Sequence, residues 1–354
     1  MFIQALIGFG VLILFSIIGS LALIRFLNFI PKPVMKARYH NPPKTDETPI
    51  LKPGDTIKVL NWNIQYAASR NHHFFYDGGS EVYASPDNVK ATLEGISRVI
   101  REYQPDIILF QEIDLDSTRS CYTDQIQELL DANPYPSWST TPYHICKYLP
   151  FPSHQHSKKL DMELTVFSRF PIDSATRHAL PALKESYIRR AFNFKRAILD
   201  LSIPVQGGSK LRIFNTHFSA FSHGDGTLKK QVSTFVSLAQ KSMEKGEYWL
   251  GAGDLNLLPP GDNPERLGKD GFYYPKTNNP IEPMLEALQT ALPLEEYLQT
   301  PEKYYTYIPY GAENTDRWLD YIFISPNLQV KSYQVIPETQ LSDHLPILTE
   351  LTLL

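Results

Sequence analysis

The sequence predicts an α/β protein in which packed β-sheets are covered by helices, preceded by one membrane-spanning helix. Three observations carry this. Nine short runs rich in Val, Ile, Leu, Phe and Tyr recur at strand length, two stretches show helical spacing, and the first 24 residues hold no charged side chain. Many strands with few interleaved helices favour sheets packed on each other. There is no internal repeat.

The N-terminal segment runs from Met1 to Ile24, with Gln4 its most polar residue. As a helix of about 1.5 Å rise per residue it reaches roughly 36 Å, enough to cross a hydrocarbon core. No Lys or Arg precedes the run, and Arg25 follows it without a small-x-small cleavage site, so an uncleaved anchor is the reading and a cleaved signal the alternative. The five basic residues of the first 50 (Arg25, Lys32, Lys36, Arg38, Lys44) all lie on its C-terminal side. By the positive-inside rule the remainder of the chain then faces the cytoplasm. Residues 31–55 contain Pro31, Pro33, Pro42, Pro43, Pro49 and Pro53 and are expected as an extended, semi-rigid tether. The organisation expected is an anchor over 1–30, a Pro-rich linker over 31–55 and one catalytic domain over 56–354.

Within 56–354 the strand-like runs are Ile57–Ile64, Asp106–Glu112, Leu164–Phe170, Arg196–Ile203, Leu211–Phe218, Tyr248–Asn256, Leu319–Ser325, Lys331–Ile336 and Leu345–Leu354. Helical spacing appears over Asn88–Tyr103, through Val89, Leu93, Ile96, Val99 and Ile100, with Asp87 expected as its N-cap. A second stripe, Val232, Phe235, Val236, Leu238 and Ala239, predicts a helix over Thr227–Lys245.

Polar tips end the strand-like runs: Leu60-Asn61-Trp62-Asn63, Phe110-Gln111-Glu112, Asn215-Thr216-His217, Gly253-Asp254-Leu255-Asn256, Trp318-Leu319-Asp320-Tyr321 and Ser342-Asp343-His344. Strand ends on one sheet edge can share one pocket. Asp254 and Asn256 are two apart, so on a strand they share a face. The carboxylate there would orient or deprotonate a water, and the amide would hold a phosphate oxygen. Taken singly, Asp254 and Asn256 read equally as a polar turn, Asn63 as a strand-end turn, Glu112 as a solvated end, and His217 or His344 as a buried structural histidine.

Composition narrows the class. The 42% hydrophobic and 20% charged content describes a globular chain rather than a disordered one. Outside the first 50 residues the chain has 29 basic and 36 acidic side chains, which does not favour a sequence-independent nucleic-acid binder. Cys121 and Cys146 are the only cysteines and are read as free thiols; no Cys/His cluster suggests zinc.

The ordered set of tips, above all Gly253–Asn256 and Ser342–His344, resembles the endonuclease/exonuclease/phosphatase superfamily, the deoxyribonuclease I-like enzymes, over roughly residues 56–354. The resemblance implies a four-layer α/β sandwich of two face-to-face mixed β-sheets flanked by helices. It implies a divalent-metal-dependent phosphoric ester hydrolase using Mg²⁺ or Mn²⁺, with Glu112 as metal ligand and Asn63 and Asp343 beside it. Oxygen donors suit such hard ions. The resemblance assigns water activation to Asp254, phosphate contacts to Asn256, His217 and His344, and orientation of His344 to Asp320. His72, His73, His154, His156 and His223 are read as loop residues, while Arg189, Arg190 and Arg196 either meet a phosphate or face solvent.

The substrate expected is a phosphate ester, with a membrane phospholipid or phosphoinositide headgroup first because of the anchor. A metal-dependent nuclease is the alternative, and a catalytically silent membrane-anchored binding module the second. Aromatic clusters in Ser69–Pro86 and at Tyr304, Tyr305, Tyr307 and Tyr310 either pack under long loops or rim the site against lipid.

Overall fold

The uncharged N-terminal run forms one helix, α1 (Phe2–Leu27), whose apolar side chains stand in the open rather than in a core. Residues Leu6–Leu27 are long and apolar enough to cross a membrane, as an anchor or a signal sequence would be. The computed structural model describes the chain except Met1, Phe221 and His223 and the side chains of Ile3, Ala5 and Asp77. The loop expected at His223 therefore lies outside the described residues.

After α1 come β1 (Val34–Lys36), β2 (Arg38–His40), β3 (Thr56–Asn63), α2 (Pro86–Tyr103) and β4 (Ile107–Asp114). Next are α3 (Gln125–Ala132), β5 (Ser137–Leu149), β6 (Lys158–Ser168), β7 (Ser174–Ala179), α4 (Tyr187–Phe192) and β8 (Ala197–Pro204). The chain continues through β9 (Lys210–His217), α5 (Thr227–Glu244), β10 (Tyr248–Asp254), β11 (Gln289–Thr290), β12 (Asp320–Ile324), β13 (Leu328–Val335) and β14 (Ile347–Leu353). Two seven-stranded mixed sheets result, in the orders β13-β14-β3-β4-β6-β5-β2 and β1-β7-β8-β9-β10-β12-β11. They pack face to face with helices outside, giving the four-layer sandwich.

Alternation explains the layering. Ile213 points into the core between the sheets, while its neighbour Phe214 joins Phe235 of α5, Trp249 and Phe323 on the outer face. The stripe of α2 packs over the other sheet. The N-cap of α2 is Ser85 rather than Asp87: its Oγ accepts from Asn88 N at 3.3 Å. Pro86 occupies the first helical position, where its missing N–H costs nothing, and Asp87 falls in the first turn.

All nine strand-like runs are strands, but β5 and β7 carried no such signal. β5 reads Ser-Trp-Ser-Thr-Thr-Pro, polar and proline-containing. Its outer partner β2 covers only Trp138–Thr140, so Pro142 lies on an open edge where a missing donor is tolerated. Within the Pro-rich segment 34–36 and 38–40 are strands, so it is not a free tether. β1 pairs with β7 and β2 with β5, so residues 34–40 stitch the two sheets together.

A buried amide cluster links the sheets just beneath the polar tips. Gln111 Nε2 donates to Asn61 Oδ1 at 2.9 Å and to Asn215 Oδ1 at 2.7 Å, while Asn215 Nδ2 donates to the Phe110 and Thr165 carbonyls. These groups would be costly unpaired, so they favour one alignment of the two sheets.

Candidate active site

The six tips meet at one end of the sandwich. Asn63, His217 and Asp254 are the last residues of β3, β9 and β10. Asp320 opens β12, antiparallel to β10 and directly opposite Asp254. Ser342–His344 precede β14, which is antiparallel to β3. Ser342 Oγ donates to the Asn63 carbonyl at 2.8 Å and Trp62 Nε1 to the His344 carbonyl at 2.9 Å, holding this loop against β3.

Glu112 is not at a strand end. β4 continues to Asp114, and the register against β6 slips between Phe110 and Ile113. That bulge puts Glu112 at φ +56° and turns its side chain into the cleft. Asn256, at φ +51°, is likewise a non-glycine residue in the left-handed region, and such strain persists where surrounding contacts fix it. Asn256 N donates to Asp254 Oδ1 at 2.9 Å and its Nδ2 to the Phe218 carbonyl at 3.2 Å. Gly253 lies where β10 closes on β9, and a Cβ there would collide with the Thr216 carbonyl oxygen.

Asp254 is the hub. Its Oδ2 lies 3.2 Å from His217 Nε2, 3.6 Å from His344 Nε2 and 3.3 Å from Asn63 Nδ2. Burial pushes this carboxyl up, but the two imidazoles and the Asn256 hydrogen bonds more than offset it and hold Asp254 well below the usual range. His344 Nδ1 lies 2.7 Å from Asp320 Oδ2, which also accepts from Thr306 Oγ1 at 2.7 Å. Burial alone would lower His344; Asp320 and then Asp254 override it and raise the imidazole well above its ordinary value.

Residues that no local motif marked complete the arrangement. Tyr143 on β5 accepts from Glu112 N at 3.2 Å, and its hydroxyl faces His217 Nδ1 at 3.3 Å. Thr306 belongs to the tyrosine-rich segment. Within that segment Tyr304 and Tyr305 are core residues, whereas Tyr307 packs edge-on to His344 at 5.1 Å. Tyr310 stacks on His73 at 3.5 Å, so the two aromatic clusters meet. Gln65, Arg70, His72, Phe74, Tyr76, Ile308, Tyr310 and Asp343 line a small pocket beside the hub.

Of the other histidines, His72 pairs with Glu81, His154 faces the Ser80 carbonyl and His156 faces Tyr148, all within loops. Arg189 and Arg190 are exposed. Arg196 is buried, its guanidinium 4.4 Å from the Phe194 ring, and Nη1 has no hydrogen-bond partner. Burial lowers it, against the pull of Tyr143, Glu112 and Asp254.

The donor set fits a divalent cation. Glu112, Asp254 and Asp343 share the cleft, with His217 Nδ1 3.7 Å from Glu112 Oε1 and both imidazoles against Asp254. Buried acids elsewhere have guanidinium partners: Asp114 with Arg119 at 2.8 Å, Glu163 with Arg38 at 3.1 Å, and Asp200 with Arg212. Burial, together with the Glu112 and Asp254 charges and against His344, pushes Asp343 up to about 7. A cluster of hard carboxylate oxygens suits a cation of the Mg²⁺ type. Asn63 enters through its amide nitrogen, 3.4 Å from Glu112 Oε1, while its Oδ1 accepts from Gln65 N. Asp254, Asp320 and His344 also offer three atoms within 4.8 Å of one another. Both His344 ring nitrogens already face carboxylates in that set, so it reads as a proton-holding chain.

Comparison with known proteins agrees with this geometry. The family model described as Endonuclease/Exonuclease/phosphatase family matches residues 60–344. No curated protein matches the chain. Among solved structures, an endonuclease/exonuclease/phosphatase from Beutenbergia cavernae DSM 12333 is 21% identical with a TM-score of 0.57, covering 84% of this chain and 72% of its own. The human Nocturnin catalytic domain with bound sulfate is 19% identical, TM-score 0.54, covering 90% and 98%. D. rerio TDP2 complexed with single strand DNA product is 13% identical, TM-score 0.52, covering 84% and 99%. At these identities the structural likeness speaks for the fold.

Proposed function

The chain belongs to the endonuclease/exonuclease/phosphatase family of metal-dependent phosphoester hydrolases, and on that premise we propose that it hydrolyses a membrane phospholipid or phosphoinositide headgroup ester with Mg²⁺ or Mn²⁺. The observation that carries the chemistry is the convergence on Asp254 of two imidazoles and an amide from three other strand tips, with Asn256 adding a fourth group. The observation that favours lipid is α1, an exposed apolar helix of 26 residues preceding the catalytic domain.

Asp254 is a weak base in this setting, so its role is to orient an in-line water by accepting its hydrogen bond. His344, held protonated by Asp320, donates to a phosphoryl oxygen. His217 and Asn256 flank the same space and bind the other oxygens, and the unpaired face of Arg196 adds positive charge from beneath. Glu112 and Asp343 would hold the cation, with Asn63 orienting Glu112. When bound, the cation supplies Lewis-acid stabilisation of charge on the phosphoryl and leaving oxygens. The chain is anchored through residues 1–30, with the catalytic domain on the cytoplasmic side because the flanking basic residues are C-terminal to α1.

The test is headgroup and phosphate release by the full-length chain in detergent or nanodiscs, with Mg²⁺ or chelator. Metal-dependent lipid turnover that disappears in Asp254→Ala is expected. Unimpaired turnover in a folded Asp254→Ala protein removes the assignment. A nuclease is the second reading, favoured by the fold shared with a single-strand DNA complex; plasmid nicking with the same dependence, and no lipid turnover, would establish it.

A further inference from the structure

The chain leaves α1 without a spacer. Asn28 Nδ2 donates to the Ile24 carbonyl at 2.8 Å, closing the helix, and Asn28 bridges to Cys146 while Phe29 N donates to Ile145 O at 3.1 Å. The base of α1 is therefore fixed on β5. Tyr143, whose hydroxyl lies against His217 and Glu112, is three residues from Cys146, roughly 10 Å along a strand.

The direction of travel is also fixed. Val34 pairs with His178, Lys36 with Thr176, Arg38 with Thr140 and His40 with Trp138, carrying the chain away from the cleft toward the opposite end of the sandwich. α1 thus rises from the end that holds the catalytic tips. α4 packs against its base and is tied to β5, where His144 Nε2 donates to the Phe192 carbonyl at 3.0 Å and Lys195 N to the Tyr143 carbonyl at 2.6 Å.

The surface around that base differs from the rest of the domain. Tyr148 and Phe151 of the β5–β6 hairpin and Tyr187 and Ile188 of α4 are exposed. Residues 142–157 and 184–195 together carry Lys147, Lys184, Arg189, Arg190 and Lys195 against the single acid Glu185, in a chain whose remaining body is acidic. Lys147 sits 3.6 Å over the ring of Phe26 in the last turn of α1. Aromatic and basic side chains ringing the foot of an apolar helix match the headgroup layer.

We propose that the rim formed by α4 and the β5–β6 hairpin docks on the anionic surface of the bilayer that holds α1, so that the cleft opens directly onto lipid headgroups. This rests on the anchored lipid hydrolase reading above. A nucleic-acid groove would use the cations but has no need of Phe151 and Ile188 exposed beside an apolar helix.

Full-length protein in nanodiscs of phosphatidylcholine and phosphatidylserine with brominated acyl chains tests it. Tryptophan is introduced singly as Phe15→Trp in α1, Phe151→Trp and Ile188→Trp on the rim, and Tyr39→Trp at the opposite end, with native quenching subtracted. Quenching at 15, 151 and 188 and none at 39 is expected. No quenching at 15 would mean that α1 is not inserted and would remove the anchor itself. Quenching at 15 with none at 151 and 188 would overturn the docking while leaving the anchor. Reversing Arg189→Glu and Arg190→Glu together should weaken quenching at 151 and cut release from the anionic lipid by about tenfold or more. Turnover of a soluble chromogenic phosphodiester should stay unchanged. Unaltered lipid turnover with lost plasmid nicking in that variant would make the rim a nucleic-acid groove instead.

Discussion

Replacing Asp320 by Asn keeps the shape of the site and removes one charge from a dry place. Asp320 Oδ2 is 2.7 Å from His344 Nδ1 and accepts from Thr306 Oγ1 at 2.7 Å, with both partners of the pair buried. A charge-assisted hydrogen bond contributes roughly 1.5–3 kcal/mol, and breaking a buried charge pair costs about 3–5 kcal/mol. At about tenfold per 1.4 kcal/mol, kcat/KM should fall by about tenfold to several thousandfold. The pH profile supplies a second readout. An imidazole raised by a carboxylate stays protonated through neutral pH and loses its proton as pH climbs through the raised value. Asp320→Asn lowers that value, so the alkaline limb should move to lower pH, while Asp254 and Asp343 still face the ring and retain part of the elevation. The assay is kcat/KM against pH for Asp320→Asn, His344→Ala and the double variant. If Asp320 acts through His344, the double variant is no slower than His344→Ala alone. Additive losses, or an unmoved alkaline limb, refute the assignment.

Three further outcomes are expected. Burial pushes Glu163, beside Arg38 and Thr140, up to about 7. Its folded value then exceeds its unfolded one, so a penalty grows as pH rises from its unfolded value and is complete above the folded one. Denaturant titrations should show stability falling across that window by at most about 3 kcal/mol, with Arg38 partly exposed, and Glu163→Gln should flatten the slope. Mg²⁺ should raise the thermal midpoint by relieving repulsion among Glu112, Asp254 and Asp343, a shift that Glu112→Gln should abolish; an equal shift in both proteins would place the cation elsewhere. Gly253→Ala should cost about 4 kcal/mol or more, since the new Cβ meets the backbone of β9 rather than a movable side chain. A melting midpoint equal to that of the parent would show that β10 and β9 have room to separate.

The difference between what the sequence disclosed and what it hid follows from range. Asp254 and Asn256, or Asp343 and His344, are legible because strand termination and chemistry sit within four residues of each other. The two cores are legible for the same reason, as alternation in β9 or the stripe of α2 is local. Tyr143 is hidden because its role depends on β5 running beside β6 and on a bulge 31 residues earlier that turns Glu112 toward it. Nothing in Ser-Thr-Thr-Pro-Tyr marks that meeting. Thr306 is hidden likewise, since its hydroxyl matters only after Asp320 is brought beneath it by the pairing of β12 with β10. Asn61, Gln111 and Asn215 show the converse. Each lies in a tip motif and so looks chemical, yet each is buried one step below the cleft and serves to bind one sheet to the other. The period of two that places Asn63 and His217 in the cleft also places Asn61 and Asn215 beneath it. A motif thus specifies both the reacting group and its footing. The Pro-rich segment hid most: proline content described its extended backbone, but only the registers with β5 and β7 reveal that it fixes the foot of α1 beside the catalytic end.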